Sequence, residues 1–537
     1  MKLNYFIEKE NPENAVCGLP DGREVIRLLK AEAKIRVKVI DEMPDPDPAS
    51  FRRTFYISPN GDDSADGRSP ENAWKTLVHL ADGGFDFEDG DAVLFERGGE
   101  WNSELSTRWS GRFAFHPHSG VTYSAYGAGP RPVLTNSIDA SSPDCWQKTD
   151  YEGVWRFREK LADIREDIGA IIFDEGKAWG VKLIPNFTLT AFTADARTQN
   201  SGMVSNGIEH YFSGGTLLQN PGDIRENLEF IHDYEGGALY LRCNEGNPAE
   251  VFGKIRLCRR GHILLSGKET RDITVKNIAL KYGGSHGAGL NGCRNVLFEG
   301  CEIGFMGGVI QGEDGKRVRF GNGIENWGSC DNFVIRNCHL YQCYDSAMTS
   351  QWCGNSTGPV VMKDVHFDNN VVETSNMAVE LWNANETATT PDSAMIDCTV
   401  NDNYGINLGF GIGHTRPDKS GTFLTGFDFP RQFYRNCVLE RNKVARVSHY
   451  FLWLKQIAGE GSESGLILRD NVCVLDPKHT LLYRAAEDPT NFLSQVVLYR
   501  YDGETVSAVQ KRGTDVGTEF YADPKGIDPD EEKGLYR

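Results

Sequence analysis

Three carboxylates stand in segments that are otherwise apolar or aromatic: Glu325 in RFGNGIENWG, Asp345 in CYDSAMTSQW and Glu380 in MAVELWN. The segments GIENW and AVELW align residue for residue. Read as strands, they put Glu325 and Glu380 on one face with Trp327 and Trp382 beside them. Asp345 belongs to the segment between, a few residues ahead of the aligned position. Acids stacked on one face about 4.8 Å apart repel one another, which raises at least one pKa. That is what a general acid requires. Paired carboxylates beside an aromatic platform suit glycoside hydrolysis, and Glu325, Asp345 and Glu380 offer more than one such pair. The plain alternative is that each acid pairs with a surface Arg or Lys, since structural ion pairs also perturb acids. The clustering of three favours function.

A second constellation follows in GFGIGHTRPDKSG, from Gly409 to Gly421. Its glycines allow close approach of a ligand, and His414 and Arg416 offer donors for sugar hydroxyls or a carboxylate. The alternative is that Arg416 and Asp418 pair across a turn. Trp352, Trp382 and Trp453 are candidate stacking surfaces, and Trp453 suits a core equally well. A lyase acting on uronic acids would need a basic proton abstractor, for which Lys363 or Arg416 qualifies, and a dense acidic Ca²⁺ cluster, which is missing. No P-loop, strand–helix GxGxxG or HExxH motif occurs. No cofactor and no metal site is expected, and Ca²⁺ stays open as an alternative.

The elements that must hold these residues are short. From about Ile273 to Tyr483 a pattern recurs: a β-rich run, Asn or Gly, a second run, a turn, a third run. It reads ITVKNIALKYGG from Ile273, FVIRNCHLYQC from Phe333 and CVLERNKVARV from Cys437. Each unit is too short to bury its own apolar face, so the units must stack as coils around a shared column of Val, Ile, Leu, Phe and Cys. The Asn at 277, 337, 369 or 370, 403, 442 and 471 marks a tight bend, where Asn tolerates a left-handed backbone and bonds its counterpart one coil away. The expected fold is all-β, a right-handed parallel β-helix (a solenoid) with a β-rich insertion.

The opening YISPNGDDSADGRSPENAWKTL, Tyr56 to Leu77, together with these coils, resembles the pectate-lyase-like right-handed β-helix superfamily over roughly residues 54–500. The resemblance implies a capping helix near Ala73 to Ala81. That superfamily includes lyases, hydrolases, epimerases and binding proteins. The acidic segments resemble those of its β-xylosidase-type hydrolases, which implies a glycosidase. A retaining reaction with Asp345 as one partner is expected, because Tyr344-Asp345 heads a strand between the two glutamates. A lyase or epimerase, or a carbohydrate-binding solenoid without turnover, are the rival readings.

The expected organisation is an N-terminal extension (1–50), a cap with first coils (51–140), a β-rich insertion (141–259), central coils carrying the site (260–500) and a polar tail (501–537). The extension reads as a strand pair or a helix plus strand, a packing arm or an oligomer contact. Net charge is −19, which disfavours nucleic acid as a partner. No apolar run approaches the roughly 18 residues of a membrane span. The N-terminus lacks an apolar signal-peptide core and the 13 cysteines form no CxxC pair. Reduced thiols and a cytoplasmic location are therefore expected, with an oligosaccharide as substrate and the choice between monomer and homo-oligomer left open.

Overall fold

The computed structural model describes residues 20–523, apart from 82, 104, 108–110, 162–165, 184–211, 214–215, 234–235, 311–318, 355–357, 386–392, 414–420, 429–433, 449, 455–465, 476–480, 487–495 and 501–514. The chain is mostly β, and its strands alternate between two large sheets. Among the described residues one sheet has 19 strands and the other 13. The strands that matter for the site belong to the first: β1 (Leu264–Lys276), β2 (Ala288–Glu299), β3 (Ile324–Arg336), β4 (Ser346–Gly354), β5 (Met377–Asn385) and β6 (Thr422–Asp428). Between them the chain returns through the second sheet, as in Ala279–Gly283, Glu302–Met306 and His339–Cys343. Each strand pairs in parallel with the equivalent strand of the next coil.

The parallel register turns the period-2 alternation of each strand into columns running through the molecule. One interior column is Val275, Phe298, Ile335, Phe367, Val400, Leu439 and Leu468. All seven are buried. A second interior column, Ile324, Met348, Val379 and Leu424, lies directly beneath the site and is also buried.

The asparagines hold the bends in two separate ways. Asn277, Asn337 and Asn369 adopt left-handed φ of 55°, 50° and 61°. The ladder itself lies one residue later, at Asn370, Asn403, Asn442 and Asn471, where each backbone N–H of one coil donates to the Oδ1 of the next. Each Nδ2 donates to a carbonyl of the preceding coil, Ile335, Phe367, Val400 and Leu439 in turn. Earlier coils carry Cys301 and Cys338 in that position, and their Sγ atoms point to the Val275 and Phe298 carbonyls in the same way. Asn403→Ala removes a fully buried amide and strands its partners. It should cost about 2–3 kcal/mol in chemical denaturation.

Three features differ from expectation. Residues Arg23–Asp41 form one α-helix, α1. Its Ile26, Leu29, Ala33 and Ile40 pack on Val371, Ile406, Ala445 and Val474 of the second sheet. The helix expected near Ala73–Ala81 is only a 3-10 turn, Val78–Leu80. There Trp74 is held extended against the first strand of the chain, its N–H donating to the Tyr56 carbonyl and its own carbonyl accepting the Ser58 N–H, while the Asp63 carboxylate accepts the N–H groups of Lys75 and Thr76. Beyond residue 501, Glu519–Ala522 extends the second sheet by pairing with Val472–Leu475.

Between 141 and 259 a five-stranded sheet forms over its own core of Trp146, Phe157, Phe230, Leu239 and Leu241. Two further strands, Ile168–Phe173 and Ile255–Arg259, continue the second sheet with antiparallel pairing. The join is locked by a buried charge cluster. The Lys182 Nζ lies 2.7 Å from both Asp167 oxygens, and Asp167 Oδ2 also accepts the Ile310 N–H from the coils at 2.8 Å. Burial raises the Asp167 carboxyl, but Lys182 and His232 outweigh it and hold it well below the usual range.

Candidate active site

The strand register settles where the acids stand. Gly289, Glu325, Thr349, Glu380 and Thr425 form one column across β2 to β6. Glu325 and Glu380 are thus two coils apart with Thr349 between them. The neighbouring column on the same face holds Trp327, Gln351 and Trp382, so an amide sits between two half-buried indoles. Trp352 packs against the core, and its ring lies 5.7 Å from that of Trp327. The glutamate column, not the indole column, continues into the backbone of Trp453, which pairs with Thr425. Asp345 lies just before β4, four residues ahead of Thr349. It is half-buried, and its N–H and C=O bond to Gly321 and Met377.

Both glutamates are buried, at 7% and 6% exposure, although they point away from the interior column. Their side chains lean back toward the strand starts. Glu325 Oε2 accepts the Asn322 Nδ2 at 2.5 Å and the Gln351 Nε2 at 2.9 Å, and His286 Nε2 lies 3.3 Å away. Asn322 Oδ1 accepts the Ser346 N–H at 2.9 Å, which fixes the orientation of that amide. Ser346 Oγ in turn donates to Glu380 Oε2 at 3.1 Å, and Thr349 Oγ1 approaches the same oxygen at 3.5 Å. A continuous hydrogen-bonded row, Glu325–Asn322–Ser346–Glu380, therefore joins the two carboxyl groups across three coils.

Burial pushes the Glu325 carboxyl up to about 7, against the lowering effect of the Asn322 and Gln351 hydrogen bonds. Burial likewise drives His286 down to about 3, so its imidazole is neutral. A carboxyl that keeps its proton near neutral pH, two coils from a second buried carboxyl group, is equipped for acid–base chemistry. Lys363, a candidate abstractor for a lyase, is exposed beside Asp364 and in register with Asp331, beyond these columns. His414 and Arg416 lie outside the described residues. Among the described residues no group of three His, Cys, Asp or Glu side chains is arranged to hold a metal ion.

The residues that surround the acids were absent from the sequence expectation. Gln351 carried a usable signal, since it aligns with Trp327 and Trp382. Asn322, Ser346 and His286 are brought in by side-chain direction and by neighbouring coils, which no local motif announces.

No protein-family model matches the chain. The lacto-N-biosidase of Bifidobacterium longum subsp. longum is 25% identical over 265 residues, covering 43% of this chain and 16% of that protein. The chain thus spans about a sixth of the length of this curated relative. Among solved structures it is similar to XylC in complex with xylose, with TM-score 0.42, 10% identity and coverage of 83% and 73% of the two chains. It is similar to the GH136 lacto-N-biosidase of Eubacterium ramulus, with TM-score 0.34, 11% identity and coverage of 80% and 64%. Pectate lyase Pel9A gives TM-score 0.34 and 12% identity, with coverage of 83% and 73%. The fold itself rests on the parallel pairing described above.

Proposed function

We infer that the protein is a glycoside hydrolase acting on oligosaccharides, with Glu325 as general acid, on coils wound as a right-handed parallel β-helix. The hand is supported by the rule that crossovers between parallel strands of one sheet are right-handed in nearly all proteins. One observation carries the functional reading: a buried carboxyl with its pKa raised to about 7 is linked by a hydrogen-bonded row to a second buried carboxylate, with indoles alongside both. The acid would protonate the leaving oxygen and the second carboxylate would activate water or attack the sugar.

Glu380 is the better-supported second carboxylate. Two strand spacings separate its backbone from that of Glu325, about 9.6 Å, which leaves room for a water and suits inversion. One observation favours the alternative pairing with Asp345 and hence retention. Both glutamate side chains lean toward the strand starts, where Asp345 immediately precedes Ser346. His414 and Arg416 are proposed substrate contacts on sequence grounds.

A panel of nitrophenyl glycosides and uronate oligomers, with and without EDTA, tests this reading. Release of nitrophenol or new reducing ends without an unsaturated product is expected. NMR of the first-formed anomer should show inversion for the Glu325–Glu380 pair, and retention would transfer the second role to Asp345. An unsaturated uronate product would establish a lyase instead, and binding without turnover a carbohydrate-binding solenoid.

A further inference from the structure

The imidazole beside Glu325 is locked in one tautomer by the backbone. His286 Nδ1 accepts the Asn322 backbone N–H at 2.9 Å, so its ring proton must sit on Nε2, the atom facing Glu325 Oε2. Protonating His286 further would put a second proton on Nδ1, pointing at the Asn322 N–H. Two donors would then face each other in a buried site. The ring is fixed from behind by His262, stacked at 4.8 Å with 6° between planes, and from the side by Phe320 at 5.0 Å. Room for His262 exists because the column position next to Glu325 is Gly289. A Cβ there would stand 3.3 Å from His262 Nδ1.

Resting on the reading of Glu325 as general acid, we propose that His286 is a positioning residue that acts with Asn322 and Gln351 to keep the transferable proton of Glu325 off Oε2. The Asn322 Nδ2 and the Gln351 Nε2 donate to Oε2, and the His286 Nε2 stands 3.3 Å from the same oxygen. A carboxyl oxygen that accepts two N–H groups and has a third N–H group 3.3 Å away leaves no room for a proton of its own, so the proton resides on Oε1. The same donors stabilise the ionised form left after transfer. Because His286 cannot take up a second proton, it cannot drain the proton from Glu325 before the leaving oxygen does. Among the described residues, the titratable groups on this side are Glu325, His286, His262 and Asp345, whose N–H bonds the Gly321 carbonyl beside Asn322. Arg260 is the charged group that bears on His262, and Glu380 lies two coils away.

The test compares His286→Phe, which keeps the stack on His262 but removes the donor, with His286→Gln, which can return an N–H to Oε2, and with Glu325→Gln. Losing a donor to the ionised form raises the pKa of Glu325. The alkaline limb of kcat/KM in His286→Phe should therefore move up by about one pH unit, with kcat lowered on the order of 10-fold. His286→Gln should restore the limb. In the unmutated protein, ¹⁵N NMR should show the Nε2–H tautomer of His286 without titration between about pH 4 and 8. An unshifted limb in folded His286→Phe, or a His286 that titrates in that range, overturns the proposal. If Glu325→Gln is inactive while the limb of His286→Phe is unmoved, only the role of His286 falls. If Glu325→Gln is fully active, the general-acid reading falls as well.

Discussion

Replacing Glu325 by Gln is expected to lower kcat on an unactivated oligosaccharide by on the order of 10²-fold or more, and at the same time to stabilise the fold at pH 8. The second effect follows from linkage. Burial moves this carboxyl from an ordinary value of 4.5 up to about 7. Between those values the folded protein holds a proton that the unfolded chain has released, so stability falls as pH rises through this window. Above about pH 7 the full cost is present, about 3 kcal/mol at 1.36 kcal/mol per unit. Glu325→Gln keeps an amide oxygen for the donors of Asn322 and Gln351 but removes the charge. Denaturation curves of the two proteins should nearly coincide at pH 4 and separate at pH 8, with the variant more stable. Coincidence at both pH values would show that Glu325 ionises normally, which a general acid near neutral pH does not do.

Asp167→Ala carries the largest expected loss of stability. It leaves the Lys182 ammonium, 2% exposed, without the carboxylate that neutralises it, and frees the Ile310 N–H at the join between insertion and coils. Breaking a buried pair on one side costs about 3–5 kcal/mol. The double variant Asp167→Ala, Lys182→Met removes both charges and should recover part of that loss. Urea denaturation of the single and double variants checks both statements. A double variant no more stable than the single one would show that the hydrogen bond to Ile310, rather than the stranded charge, dominates. Since the Asp167 carboxyl is held below its usual range, its contribution is present above ordinary carboxylate values and is lost as pH falls through and below them.

The coils were legible because a parallel register repeats the same burial pattern at each turn, so Val275, Phe298 and Ile335 announce one column. The asparagine signal was legible too, yet it fused two jobs. The left-handed residue and the ladder residue are adjacent, as Asn369 and Asn370 are, and only the hydrogen bonds distinguish them. The segment AKIRVKVI alternates apolar and polar and is rich in β-branched residues, so it reads as a strand. Packing of Ile26, Leu29, Ala33 and Ile40 on the second sheet makes it a helix instead. Pairing of Trp74 with the Tyr56–Ser58 backbone overrode the expected cap helix.

For the site, the match of GIENW to AVELW was enough to align Glu325 with Glu380. It could not reveal that both carboxyls fold back three residues to meet Asn322 and Ser346. Side-chain direction of that kind depends on what covers the face, and variable coil lengths hide which residues those are. Asp345 shows the same limit, since its distance from the aligned position is set by where the bend before β4 falls.

The most direct test of Glu325 as general acid is the dependence of its loss on the leaving group. Glu325→Gln should be compared with the unmutated protein on an oligosaccharide and on the dinitrophenyl glycoside of the same sugar. A dinitrophenolate departs without protonation, whereas a sugar alkoxide does not. The variant should lose on the order of 10²-fold or more in kcat/KM on the oligosaccharide and far less on the activated glycoside. An equal loss on both substrates, or no loss on either, would contradict the assignment.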